Sequence, residues 1–312
     1  MEEQSHGMKS VIAALFANIL IACSKFVGFF LSGSSAMLNE SIHSVVDCTN
    51  QIMLLYGDKK AQAKPDELHQ FGQARAKYFF STIVATMLFF GGGALGIYEA
   101  ITKLLHPEHE VTNHLLIIGI LIFGLVMESF SLHVALKEIN HLNVKKLPIL
   151  KFLRESRHSE VIIIFAEDTC GLIGLLLALV GTFLAKVTGN PIFDAIAALL
   201  IGLLLLLAAI FLAKEFYSLI VGEAVVKEDL DKIKECFNRK EVKRVIDIKT
   251  VHLGPNEILI AAKMDLNTSY EAQSYKIIND IEDHIRKILN EYKAYIYIEI
   301  DEYDENYKRR DQ

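Results

Sequence analysis

Apolar residues run in long blocks through the first two thirds of the chain. They lie at Val11–Leu31, Ala36–Tyr56, Tyr78–Leu104, His114–Leu136, Val161–Lys186 and Ile192–Ala213. A hydrocarbon core takes roughly 20 residues of helix, so the pattern predicts six transmembrane helices. The sixth block carries no charge from Ala195 to Ala213. The first block is too long for a cleaved signal peptide, lacks a basic start, and is followed within a few residues by the second.

The pattern changes near Lys214 and Glu215. Beyond it, Lys227–Lys240 reads as a helix, and Val242–Leu253 and Glu257–Asp265 as strands joined by the turn signal Gly254-Pro255-Asn256. Tyr270–Leu289 repeats Ile277, Ile278, Ile281, Ile285 and Ile288 at helical spacing, and Ala294–Ile300 alternates as a strand. The order α-β-β-α-β fits a small ferredoxin-like sheet with helices on one face. The predicted fold is therefore a multi-pass α-helical membrane protein. Residues 1–214 form a transport-type domain of six transmembrane helices, and residues 215–312 a cytosolic α/β domain.

Composition agrees with that division. Of 312 residues, 52% are hydrophobic and 22% charged, too apolar for a disordered chain or an ordinary soluble one. Residues 1–214 hold 17 acids and 16 Lys or Arg, whereas the shorter tail holds 21 acids and 16 Lys or Arg. The net charge of −6 argues against a nucleic-acid partner. Cys23, Cys48, Cys170 and Cys236 are scattered, which excludes a disulfide framework and zinc-finger spacing.

Basic residues set an orientation in the bilayer. Lys9 precedes the first block. Lys59, Lys60, Lys64, Arg75 and Lys77 lie in the second connection, and Lys137, Lys145, Lys146, Lys151, Arg154 and Arg157 in the fourth. The other connections hold only Lys103 and Lys186. Both termini and the two basic connections are expected in the cytosol. With no targeting peptide evident, a bacterial cytoplasmic membrane is the simplest placement.

The candidate chemistry is the charge that so apolar a chain keeps at membrane depth, where a carboxylate is expensive. His43 and Asp47 are four residues apart in the second block and share a helical face, with Glu40 one turn away on the same face. Glu167 and Asp168 stand together in the fifth block, about 100° apart on an ideal helix. Glu128 stands alone in the fourth and suits a bond to a neighbouring helix equally well. Lys25 is the one cation at comparable depth, too few to pair with these acids. A divalent cation neutralises two carboxylates and uses the imidazole as well, a donor set suited to zinc and other first-row metals.

The stretches GSSAMLNESIHSVVDCTNQ, HQFGQARAKYF and FAEDT, with six spans and an α/β tail, resemble the cation diffusion facilitator family, most of all its zinc-transporter-9-like branch. The resemblance covers nearly the whole chain. It implies a proton-coupled antiporter that exports zinc, or else manganese, iron or cobalt, and needs no cofactor besides the transported metal. It also implies a homodimer whose cytosolic domains pair. His43 and Asp47 match the second-span ligands, and Asp168 matches the second ligand of the fifth span. The usual partner four residues earlier is Ile164 here, so Glu167, Glu40 or a water is expected to complete the set.

Asp66 and His69 match a loop metal site of some relatives, whose third ligand is Gln73 here. In the tail, Lys263, Glu299 and Asp301 stand where relatives carry histidines, with His252 and His284 elsewhere, so docking and dimerisation are the better reading. His106, Glu108, His109, Glu110 and His114 read as a solvated loop. An intramembrane metalloprotease is excluded by the lack of HExxH: His109-Glu110 leads to Asn113. A membrane metal sensor or scaffold that has lost transport is the alternative that Ile164 motivates.

Overall fold

A computed structural model describes residues 18–105, 114–143 and 146–304. Parts of the first apolar block and its preceding Lys9, Lys145, and His106 to Glu110 lie outside the described residues. The chain divides into two compact units. One comprises residues up to Lys60 with Ala76–Tyr217; the other comprises Ala61–Arg75 with residues from Ser218 onward.

The first unit is helical. Helix α1 spans Asn18–Ser32 and α3 Ala76–Leu105. The others are α2 (Ser35–Ala61), α4 (His114–Leu142), the short α5 (Ile149–Glu155), α6 (Ser159–Thr188) and α7 (Ile192–Val221). Among the described residues, α3, α4, α6 and α7 are long and apolar enough to cross a membrane. The described part of α1 is too short for that test. Helix α2 is long enough but carries Asn39, Glu40, His43, Asp47 and Asn50, the polar residues that make it interesting.

Two devices set the helix packing. Helix α3 contains a π-helical stretch, Leu88–Ala94, in which Gly92 and Gly93 lie at the α7 contact and Gly91 faces Val46 of α2. A Cβ on Gly93 would meet the Leu206 backbone at 3.0 Å, so glycine is what lets these helices approach. The second device is Asp194, fully buried in the first turn of α7. It accepts hydrogen bonds from the Ser34 hydroxyl (2.6 Å) and the Ser35 amide (2.7 Å), and so caps α2 from another helix.

The second unit contains α8 (Lys227–Cys236), β1 (Val242–Gly254), β2 (Glu257–Leu266), a 3-10 turn at Thr268–Gln273, α9 (Ser274–Ile288) and β3 (Lys293–Ile300). The sheet order is β1-β2-β3. β1 and β2 pair antiparallel across the Pro255-Asn256 turn, and β2 and β3 pair parallel. A complete ferredoxin-like unit has β-α-β-β-α-β order. The first strand is missing here, so the strands flanking α9 pair directly. Ile258, Ile260, Ala262, Met264 and Leu266 alternate onto one face of β2 and bury against Ile277, Ile281 and Ile285 of α9.

Residues 61–75 pack on this sheet rather than standing free as a connection. The Arg75 guanidinium donates to the His252 carbonyl at 2.8 Å, and the Phe71 ring meets Tyr295 edge-on at 5.2 Å.

Candidate metal centre

Along α2, Glu40, His43, Asp47 and Asn50 follow at steps of three, four and three residues, which places them in one line down the helix. Each meets a different neighbour. The Glu40 carboxylate takes the Lys25 ammonium of α1 at 3.1 Å, and both side chains are fully buried. The His43 Nδ1 lies 3.4 Å from Asp47 Oδ1. Asn50 donates its amide to Glu167 of α6. Asp168, one residue on, accepts a hydrogen bond from the Ser131 hydroxyl of α4 at 2.9 Å.

Glycines on α6 make room for these groups. A Cβ on Gly171 would stand 3.2 Å from the Glu128 carboxyl carbon and 3.3 Å from His43 Nε2, so both side chains press on the same bare backbone. A Cβ on Gly174 would overlap Glu40 Oε1 at 2.5 Å. Glu128 lies within electrostatic reach of Asp47, Lys25, His43 and Asp168. The acid that its sequence leaves isolated is thus part of the cluster.

The sequence candidates therefore separate. His43 and Asp47 stand together, and Glu128 joins them through Gly171. Glu40 is held by Lys25, Glu167 by Asn50 and Asp168 by Ser131. Among the described residues no three His, Cys, Asp or Glu side chains gather within ligand distance of one point. Yet both His43 ring nitrogens, Asp47 Oδ1 and Glu40 Oε1 are buried without a hydrogen bond. Buried polar atoms in folded proteins are nearly always satisfied, and such a group calls for an explanation.

Sequence reasoning missed Ser131 and Asn50. Each is an uncharged residue on a helix other than the one bearing its carboxylate, with no local pattern to mark it. Glu128 carried a signal, an acid at bilayer depth, but its neighbours are set by packing.

The loop and tail candidates differ. Asp66 accepts from the His69 amide at 2.6 Å and the Leu68 amide at 2.9 Å, with the His69 ring at 3.2 Å. Those contacts, first of all the His69 amide, hold its carboxyl below the usual range. The carboxylate is absorbed in shaping its own loop. In the tail, the Lys263 ammonium lies 2.5 Å from Asp301 and 3.4 Å from Glu299.

Residues 11–221 match the family described as the cation efflux transmembrane domain. The chain is 29% identical over 282 residues to the mitochondrial proton-coupled zinc antiporter of Homo sapiens, a match covering 90% of this chain and 50% of that protein. It is 29% identical over 276 residues to metal tolerance protein C4 of Arabidopsis thaliana, covering 86% of this chain and 59% of that one. It is 25% identical over 260 residues to the zinc transporter ZitB of Yersinia pestis, covering 82% and 77%. The chain spans about half the length of its mitochondrial relatives.

Proposed function

The chain belongs to the cation efflux family, and from that premise we propose that it carries a divalent metal cation out of the cytosol in exchange for protons. The site is centred on His43, Asp47 and Asp168. The observation that carries the reading is His43: a buried imidazole with both nitrogens unbonded, beside an unbonded oxygen of Asp47. A divalent cation takes one ring nitrogen and neutralises the carboxylates at once, leaving the other nitrogen to donate its N–H.

Glu128 leads for the fourth donor, since it lies with His43 against Gly171. Glu40 and Glu167 already hold partners and stand as outer supports. Zinc comes first, because imidazole with carboxylates suits it and two relatives are named for zinc. Manganese, iron and cobalt follow. The fold is an integral multi-pass membrane protein. Six spans, cytosolic basic connections and a homodimer paired through the tail complete the proposal.

Coupling follows from the ligands. Metal binding needs a neutral His43 and ionised Asp47 and Asp168, so it releases protons. Protons arriving from the far side compete for the same atoms and expel the metal, while rigid movement of helices switches the opening. The test is flux in proteoliposomes across zinc, manganese, iron and cobalt with an imposed pH gradient. Asp47→Ala abolishes flux while the protein inserts and folds. Zinc movement at the wild-type rate in that variant would overturn the site.

A second reading, a metal sensor without transport, is favoured by one observation. Ile164 stands at the fourth ligand position. Metal binding without flux would select it.

A further inference from the structure

A cavity of about 250 Å³ lies within the helical unit, between α2, α3 and α6. Its inner wall includes Gln51 and Ile164. Gln51 is four residues beyond Asp47 and Ile164 four before Asp168, so the cavity stops one helical turn from the candidate site. Ile164 thus lines an approach to the site with an apolar wall.

The mouth of the cavity is charged. Lys77, in the first turn of α3, sets its ammonium 2.7 Å from Asp58 Oδ1 of α2 and 3.4 Å from Glu160 Oε1 of α6. His158 adds a ring nitrogen 3.7 Å from the same Glu160 oxygen. One turn further in, Ser81 of α3 and Ser159 of α6 are hydrogen-bonded at 2.9 Å. One tethered monocation therefore bridges the two helices that carry His43, Asp47 and Asp168.

We propose that this cavity is the cytosolic inlet of the transport path and that Lys77 is its gate. Bound to Asp58 and Glu160, the ammonium holds α2 to α6 and repels an approaching divalent cation. Released, it lets the helices part and leaves two carboxylates facing the incoming ion. The pairs are partly exposed, Lys77 at 23% and Asp58 at 45%. Such pairs are individually weak, which suits a contact that must break in every cycle. The proposal rests on the transport reading above for its direction, but the opening it describes is measurable without transport.

The test uses the full chain in proteoliposomes, with Cys23, Cys48, Cys170 and Cys236 replaced by alanine and Leu55→Cys, in the cavity lining, as reporter. A membrane-impermeant maleimide is applied from the side that the basic connections face. Lys77→Met raises the labelling rate about tenfold by shifting the closed–open balance. The double variant Asp58→Asn with Glu160→Gln keeps the lysine, cuts its ties, and gives the same rise. Zinc binding to the detergent-solubilised protein stays at the parent level in both. Parent labelling rates in the two variants would overturn the gate. So would a rise accompanied by lost zinc binding, which means general loosening of the bundle. Loss of flux in Asp47→Ala tests the transport reading separately, and failure there leaves the labelling result intact.

Discussion

Two clusters of carboxylates in this molecule have opposite fates. On the tail sheet, Lys263 of β2 stands in register with Glu299 of β3 and also reaches Asp301, so the chain supplies its own cation to both acids. In the helical unit, Asp47 stands beside His43 and Glu128 meets it at Gly171, while the nearby cation, Lys25, is committed to Glu40. The imidazole there stays unbonded. Carboxylates in water cost little whether paired or not. At bilayer depth an uncompensated one is expensive and persists for function. The difference teaches that ligand-type residues do not make a metal site by themselves. A deficit of internal cation and of hydrogen-bond donors is what sets the proposed site apart.

The largest effect that tests this contrast is His43→Ala. Removing a proposed ligand should lower zinc affinity by more than the roughly 10- to 100-fold that supporting residues cost. Flux in proteoliposomes and zinc titration of the purified protein both report it. Lys263→Ala in the tail should leave both readings unchanged, and equal losses in the two variants would erase the contrast. Next comes Ser131→Ala, which frees the Asp168 carboxylate from the hydroxyl now orienting it. Zinc affinity should fall by about 10- to 100-fold with the protein still folded. Unaltered affinity would remove Asp168 from the site or Ser131 from its support.

The elements were largely legible, because each follows from short-range periodicity. The α9 isoleucines and the alternation along β2 are patterns within one element, and the sequence needs no partner to show them. The helical spacing predicts a helix over Tyr270–Leu289, whereas Thr268–Gln273 form a 3-10 turn and α9 begins at Ser274, because the isoleucines that fix its apolar face begin only at Ile277. Site residues were legible where two lie on one face of one helix, as His43 and Asp47 do. They were not legible where the partner comes from another helix. Lys25 and Glu40, Ser131 and Asp168, and Asn50 and Glu167 meet through packing across the bundle. Residues 61–75 show the same limit: their basic composition marked a connection, while Arg75 and Phe71 dock on strands far along the chain.

Asp194 gives a smaller and different effect. It is a buried acid in the helical unit, yet it needs no cation, because the Ser34 hydroxyl and the Ser35 amide donate to it. Asp194→Ala removes the cap of α2 and should cost about 0.5–2 kcal/mol, the range for losing such a cap. A lowered thermal midpoint in detergent, with zinc affinity retained by the folded fraction, is the expected result. Lost zinc affinity at full stability would instead make Asp194 part of the transport path.

The smallest effect belongs to the tail pair, and its sign is set by charge. The Lys263 ammonium holds the Asp301 carboxyl below its usual range, and Asp301 holds that ammonium above its own. The Asp301 contribution to stability is therefore full above the unfolded carboxyl pKa of about 3.9 and is lost as pH falls through the depressed folded value. The Lys263 contribution is full below about pH 10.4 and is lost as pH rises through the raised folded value. Lys263→Met should thus lower the urea midpoint of the tail by a small, constant amount between about pH 5 and 9. The difference from wild type should shrink on further acidification. Asp301 is solvent-exposed and Lys263 partly so, and added salt should therefore also reduce it. A difference undiminished in acid would mean that the lysine stem, not its charge, supports the sheet. Zinc binding gained by Lys263→Met would mean that the ammonium had been all that kept metal from the tail, and the two clusters would then differ in one residue rather than in kind.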